Sequence, residues 1–330
     1  MAKVVSLEPV KRRQRPHQRR TQRAAPPPDP AALARQHWWG LGLAALAAAL
    51  WGLAPVATKA ALAGYSPELI SVLRLGTAAM LFRILGGTRA HLWPRSIWSW
   101  IGGIALGADF VVYNYGLRLT DAGVSGLVIN IELVTTIALA VWLLGERLTR
   151  RRAWGSAMTL AGAIYVGLDG IHLGDLVARE RLIGNVLVML AGVFWSVFAV
   201  AQRKVPRGGN LFQLVTPIFF VAAVTTVPGL LLPAAWYNPA GIEPTIMLLV
   251  LVVACTLSVY AAYARAQELV DVSALAIVLA SIPVFAVIFA WLLLAEPITS
   301  RVIVGGAAIL VGVVLITIER PATAAIERAQ

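Results

Sequence analysis

Ten stretches of the chain stay apolar for about the 20 residues that a helix needs to cross a bilayer core. They run over residues 39 to 63, 67 to 86, 96 to 118, 121 to 144, 152 to 169, 182 to 203, 211 to 232, 243 to 266, 271 to 294 and 300 to 318. The separators carry turn formers and charge: GYSPE, GGTRAHLWPR, RLTDAG, GERLTRRR, DGIHLGDLVARER, RKVPRGGN, LPAAWYNPAGIEP, QELVD and AEPITS. Strands of a membrane barrel would be half as long and would alternate strictly, which these runs do not. The pattern predicts an all-α integral membrane protein with ten transmembrane helices.

The ten runs fall into two matching sets. WLLGERLTRRRAWGSAMTLAG, 142 to 162, aligns without a gap on LLLAEPITSRVIVGGAAILVG, 292 to 312, so that Glu146 meets Glu296, Thr149 meets Thr299, Gly155 meets Gly305 and Gly162 meets Gly312. VSGL at 124 to 127 matches VSAL at 272 to 275, and WGLAPVATK at 51 to 59 faces WSVFAVAQR at 195 to 203. Each copy holds an odd number of helices, so the second must enter the membrane upside down. Two inverted five-helix repeats are expected, with a site near the midplane between them. The domain plan is a basic tail over 1 to 37, a first repeat over 38 to 169, a linker over 170 to 181, a second repeat over 182 to 318, and a tail over 319 to 330.

Charge adds an orientation. With the N-terminus in the cytoplasm, 22 Lys and Arg fall in cytoplasmic segments against four on the far side, a bias that predicts both termini inside a multi-pass protein of the inner (plasma) membrane. Nine of these residues lie in the first 35 positions, a Pro-rich tail expected to be disordered and to touch anionic headgroups. No aromatics are interleaved with its arginines, so no nucleic acid is expected as a partner. The chain is 59% hydrophobic and only 13% charged, far from the balance of a soluble domain. Its single cysteine, Cys255, and four histidines confined to the tail and loops leave the membrane interior without a thiolate pair or an imidazole. No metal site or cofactor is expected, and Ser/His chemistry is disfavoured.

Trp51, Gly52, Lys59, Pro67 and Arg74, with the two closing motifs LLGERLT before Gly155 and LLLAEPIT before Gly305, resemble the ten-helix EamA-domain branch of the drug/metabolite transporter superfamily. The resemblance spans about residues 39 to 318. It implies transport and says little of the substrate, since members similar in pattern carry amino acids, metabolites, nucleotide sugars or drugs. One departure stands out. Where the family often has Glu-Pro in helix 4, this chain reads Glu132-Leu133, and a 150-residue offset sets Glu132 against Ile282, with Pro283 next door.

Glu132 is the strongest anomaly in the hydrophobic pattern. A carboxylate at the bilayer centre costs on the order of 3 kcal/mol or more, and Glu132 lies too far from either helix end to reach water. It shares a helical face with Ser125, Ile129 and Thr136, while Asp109 and Tyr113 share another on helix 3. Either the two carboxylates approach each other in a cavity and trade a proton for a cationic or zwitterionic substrate, or each is salt-bridged or hydrogen-bonded, for instance Glu132 to Arg74 or Lys59, as a structural tie between helices. Trp51 and Trp195, placed equivalently by the repeat, are candidate cavity walls. Asn130, Gln202, Tyr260 and Tyr263 complete the expected substrate or proton pathway. Gly155, Gly162, Gly305, Gly306 and Gly312 read as close-packing sites between helices.

An enzyme is not expected. Asp109 sits in GADF rather than in the glycine-x-glycine-aspartate of intramembrane proteases, and no Walker-type loop is present. The expectation is a secondary active transporter, an exporter of a small metabolite such as an amino acid or amphipathic compound, working by alternating access with proton coupling or exchange. A membrane sensor or assembly partner that uses the same fold without translocation is the other class. Expected partners are a small-molecule substrate and the lipid bilayer, with the chain a monomer or homodimer.

Overall fold

The computed structural model describes residues 30 to 169, 176 to 206, 211 to 231 and 241 to 318. The basic tail up to residue 29, the linker stretch 170 to 175 and the final residues 319 to 330 lie outside the described residues. In chain order the helices are α1 (Pro30–Ala61), α2 (Pro67–Leu85), α3 (Ile97–Leu119), α4 (Ala122–Val128), α5 (Ile131–Leu144), α6 (Arg150–Gly167) and α7 (Leu176–Lys204). They continue with α8 (Leu211–Thr226), α9 (Glu243–Val252), α10 (Val259–Leu269), α11 (Val272–Leu279), α12 (Ile282–Leu294) and α13 (Ser300–Thr317). A π-helical turn over Val253–Ser258 joins α9 to α10. Among the described residues there is no strand.

Among the described residues, seven of the resulting segments are long and apolar enough, by length and composition alone, to cross a membrane. The other three are α2, α3 and α6. Glu68, Arg74 and Arg83 dilute the apolar character of the first, Asp109 with its Ser, Asn and Gly neighbours that of the second, and Arg150 to Arg152 that of the third. Each of these three packs along a spanning helix: α2 on α8, α3 on α7, and α6 on α13. The pairings obey the inverted repeat. In the first copy α1 packs against α9–α10 and α12; in the second, the equivalent α7 packs against α3 and α5. Helices α2 and α8, and likewise α6 and α13, are each other's counterparts and pair directly.

The structure also corrects the sequence pattern. The runs 121 to 144 and 271 to 294 are each two helices, broken at residues 129 to 130 and 280 to 281. An apolar run does not reveal such a break, because the interruption is filled by Asn130 and Ser281 within otherwise hydrophobic sequence. Helix α1 begins at Pro30, inside the expected tail, and α7 begins at Leu176, inside the expected linker. The repeat register changes as well. Both α4 and α11 start just after an aspartate, Asp121 and Asp271, which is a 150-residue offset rather than the 148 suggested by VSGL and VSAL. Helices α5 and α12 keep that offset through their ends at Leu144 and Leu294, and Ser196 meets the Glu132 carbonyl where the equivalent Gly52 meets that of Ile282, so Ile282 is the counterpart of Glu132 and Pro283 lies next to it.

Caps carry the repeat most faithfully. Thr149 Oγ1 accepts the N–H of Arg152 at the start of α6, and Thr299 Oγ1 accepts that of Val302 at the start of α13, both at 3.2 Å. Helix α5 ends on Gly145 at φ 68° and α12 on Ala295 at φ 54°, so both terminate in the left-handed conformation. The seam between α6 and α13 is backbone against backbone. A Cβ on Gly162 would lie 2.6 Å from the carbonyl oxygen of Gly305, and one on Gly155 2.7 Å from that of Gly312. Small residues seven apart on both helices permit this approach, which in lipid is how helices gain packing energy.

Two outcomes follow. Gly162→Leu forces α6 and α13 apart and lowers thermal stability in detergent by about 1–3 kcal/mol, as overpacking does. Ala295→Gly relieves a left-handed alanine and raises the same unfolding midpoint, by up to about 1 kcal/mol of stability. Scanning fluorimetry of purified protein checks both.

Candidate functional site

The two helix breaks and the π turn converge on one cavity of about 300 Å³. At the first break, the Asn130 side-chain amide donates to the carbonyls of Gly126 (2.9 Å) and Leu127 (3.0 Å), which satisfies the end of α4. At the second, Ser281 Oγ donates to the carbonyl of Val278 at 2.6 Å. Non-helical backbone at membrane depth is tolerated where it borders such a cavity and its polar groups are satisfied. The break has a positional consequence: Glu132 stands in the first turn of α5, the positive end of a helix dipole, facing the space that the break opens.

Glu132 is held there by its backbone. Its carbonyl accepts from Ser196 Oγ at 2.8 Å, and Ser196 in turn bonds Thr135 Oγ1 at 2.5 Å. Gly192 lets α7 come this close, since a Cβ there would meet the Ile129 carbonyl at 3.2 Å. Asp109 sits across the cavity on α3, 6% exposed. Among the described residues, neither carboxylate has a cation within 4.0 Å. The expected tie of Glu132 to Arg74 or Lys59 is therefore not made.

Arg74 lines the cavity but is held by a different group of residues. Its Nε donates to Thr256 Oγ1 at 2.8 Å, and it reaches the Cys255 carbonyl at 3.4 Å. The π turn of Val253–Ser258 lays out this acceptor pair, since an extra residue per turn leaves a carbonyl unclaimed by the helix. The guanidinium also lies over the Phe110 ring, 4.8 Å from its centroid. Trp51 and Trp195 form apolar walls, Trp51 set edge-on to Tyr260 at 5.9 Å. Tyr113 lines the cavity and bonds Ser125 at 3.3 Å.

Seven of the eleven residues expected from the sequence thus surround one cavity: Glu132, Asp109, Arg74, Trp51, Trp195, Tyr113 and Tyr260. The other four do not line it. Lys59 lies at the far end of α1, where it donates to the Thr120 carbonyl and stands 3.8 Å from Asp121. A residue eight positions beyond Trp51 on a helix is about 12 Å further along its axis. Gln202 is likewise beyond Trp195 on α7. Asn130 spends its amide on the α4 carbonyls. Tyr263 packs edge-on against Trp51, ring centroids 5.3 Å apart, and does not line the cavity.

Several lining residues were not foreseen. Phe110, Asn114, Phe219 and Thr256 all face the space. Asn114 carried a legible signal, a buried amide in mid-span; its Nδ2 donates to Ser71 Oγ at 2.9 Å and ties α3 to α2. Thr256 had none, because its orientation depends on the π turn.

The profile of the EamA-like transporter family matches residues 38–168 and again 182–318. An uncharacterized transporter of Archaeoglobus fulgidus is 25% identical over 67% of this chain and 77% of its own length. A probable terminal-alkyne amino-acid exporter of Streptantibioticus cattleyicolor is 28% identical over 75% of this chain and 82% of its own. A solved crystal structure superposes with a TM-score of 0.60 at 21% identity, covering 90% of this chain and 99% of that one, a likeness of fold alone. With the family profile met twice, once in each inverted half, the chain belongs to the EamA-like transporter family, within the drug/metabolite transporter superfamily, and is a multi-pass membrane transporter rather than an enzyme.

Proposed function

We propose that the protein is a secondary active exporter of a small metabolite that carries a cationic group and an apolar body, an amino acid or similar amphipathic compound, moved by alternating access with proton coupling or exchange. The observation that carries this reading is the pair of carboxylates, Glu132 and Asp109, facing one cavity with no ion-pair partner among the described residues within 4.0 Å. Charge left unpaired at that depth is expensive, and a cationic ligand or a proton offsets it. The aromatic walls suit the apolar body, and Arg74, which lines the same cavity, suits a carboxylate. The name of the amino-acid exporter among the relatives agrees with a solute of this kind.

In this reading Glu132 and Asp109 bind the cationic group or its competing proton, Tyr113 and Tyr260 orient the solute, and Trp51 and Trp195 contact its side chain. The repeats over 38 to 169 and 182 to 318 are the two units that rock about the cavity. The lysine and arginine bias supports placement in the inner (plasma) membrane with both termini in the cytoplasm, and the chain works as a monomer or homodimer.

Counterflow of amino acids in proteoliposomes, with and without a pH gradient, tests the site. Wild-type flux responds to the gradient; Glu132→Gln reduces that response by about tenfold or more, the loss of one charge-assisted contact. Flux that keeps its full pH response in Glu132→Gln refutes the role of this carboxylate. For orientation, single cysteines at Arg89 and Ala63 in a Cys255→Ala background are expected to label from opposite faces of intact cells, Ala63 alone with an impermeant reagent.

A further inference from the structure

The two ends of the bundle treat the same pair of repeat positions differently. Glu296 follows the left-handed end of α12 and Glu146 follows the equivalent end of α5. Glu296 reaches across to the first turn of α4: Oε1 accepts the N–H of Ala122 and Oε2 that of Gly123, each at 2.8 Å. Lys59 stands 4.0 Å from the same carboxylate. Behind this contact α12 packs on α4, with Ala290 3.3 Å from where a Gly123 Cβ would sit. Glu146 instead bonds Arg152 at 3.1 Å and Arg203 at 3.3 Å, and among the described residues α5 and α11 share no extensive contact such as α12 makes with α4. By the repeat, Arg203 is the counterpart of Lys59. The cation–glutamate pairing is thus present at both ends, whereas the carboxylate-to-helix contact is made at one.

The aspartates complete the exchange. At the Glu146 end, Asp271 caps its own helix, Oδ1 accepting the N–H of Ala274 at 2.9 Å. At the Glu296 end, Asp121 makes no such cap and lies 3.8 Å from Lys59 and 3.9 Å from Arg181, while Glu296 occupies the first turn in its place.

We propose that Glu296 and Glu146 are alternating latches of the transport cycle. The described arrangement is latched at the Glu296 end and open at the Glu146 end. In the opposite state Glu296 leaves α4, Asp121 returns to cap it, and Glu146 swings from Arg152 onto the first turn of α11 in place of Asp271. Arg203 guides that swing as Lys59 holds Glu296 now. The proposal rests on alternating access as the mode of transport and assigns its two gates.

Distances between spin labels test it in liposomes without substrate, in a Cys255→Ala background. One pair, at Arg147 and Glu268, spans the Glu146 end; another, at Ala63 and Ile298, spans the Glu296 end. Glu296→Gln keeps one acceptor and loses the charge, so the population should move by about tenfold toward a shorter Glu146-end and a longer Glu296-end distance. Glu146→Gln should move it the other way, and the double variant should return toward the wild-type distribution, which guards against a single variant that fails to fold. Shifts of both single variants in the same direction, or none in folded protein, overturn the latches. Wild-type flux with unmoved distances overturns the latches and spares the transport reading; opposed shifts without flux of any solute do the reverse.

Discussion

A helix can be interrupted inside a bilayer only where the amides and carbonyls it releases find other partners, and the architecture around the cavity follows from meeting that condition. Asn130 and Ser281 turn their side chains back onto the carbonyls at the ends of α4 and α11. The π turn over Val253–Ser258 meets it differently, with the Cys255 carbonyl and the Thr256 hydroxyl taken by Arg74. Satisfied in these ways, three local irregularities meet at one depth and leave a space that regular helices would have filled. The same breaks turn a helix N-terminus toward Glu132, so the features that open the cavity also help to keep a carboxylate there.

The two halves are related by the repeat yet unequal where it matters. Proline stands at position two of α12 and glutamate at position two of α5, so one half brings a rigid helix start and the other brings charge. Asp109 and Arg74 both belong to the first copy, and their wall is completed by Thr256 and Tyr260 from the second. A transporter built from two like units gains its two end states from the symmetry. Its binding site gains direction from departures from that symmetry, since a perfectly two-fold cavity could not tell one end of a solute from the other.

Packing and polar contacts divide the labour between regions. The α6–α13 seam, with Gly155 and Gly162 set on Gly312 and Gly305, is backbone contact with little room to slide. The ends of α4 and α12 are joined by a charged contact to two amides, and among the described residues α5 and α11 share no comparable contact. Close glycine packing fixes two helices against each other, whereas a carboxylate that accepts two amides at a helix start can be exchanged for another acceptor.

From the sequence alone came the class, the number of membrane segments, the inverted duplication and seven of the residues that surround the cavity. These are legible because hydrophobic length, loop charge and the rarity of carboxylates in lipid are properties of the chain read one residue at a time. The seats of Lys59, Gln202, Asn130 and Tyr263 were not legible, nor was the register that sets α4 on α11 from Asp121 and Asp271. A pathway residue is distinguished from a helix-end residue by its depth and by the partner it meets, and the breaks at residues 129 to 130 and 280 to 281 look in sequence like continuous apolar runs. Only the folded bundle decided that Arg74 turns to the π turn rather than to a carboxylate and that Glu296, and not Glu146, sits on its neighbour's helix. Those outcomes depend on distances between segments far apart in the chain, which tertiary packing alone sets.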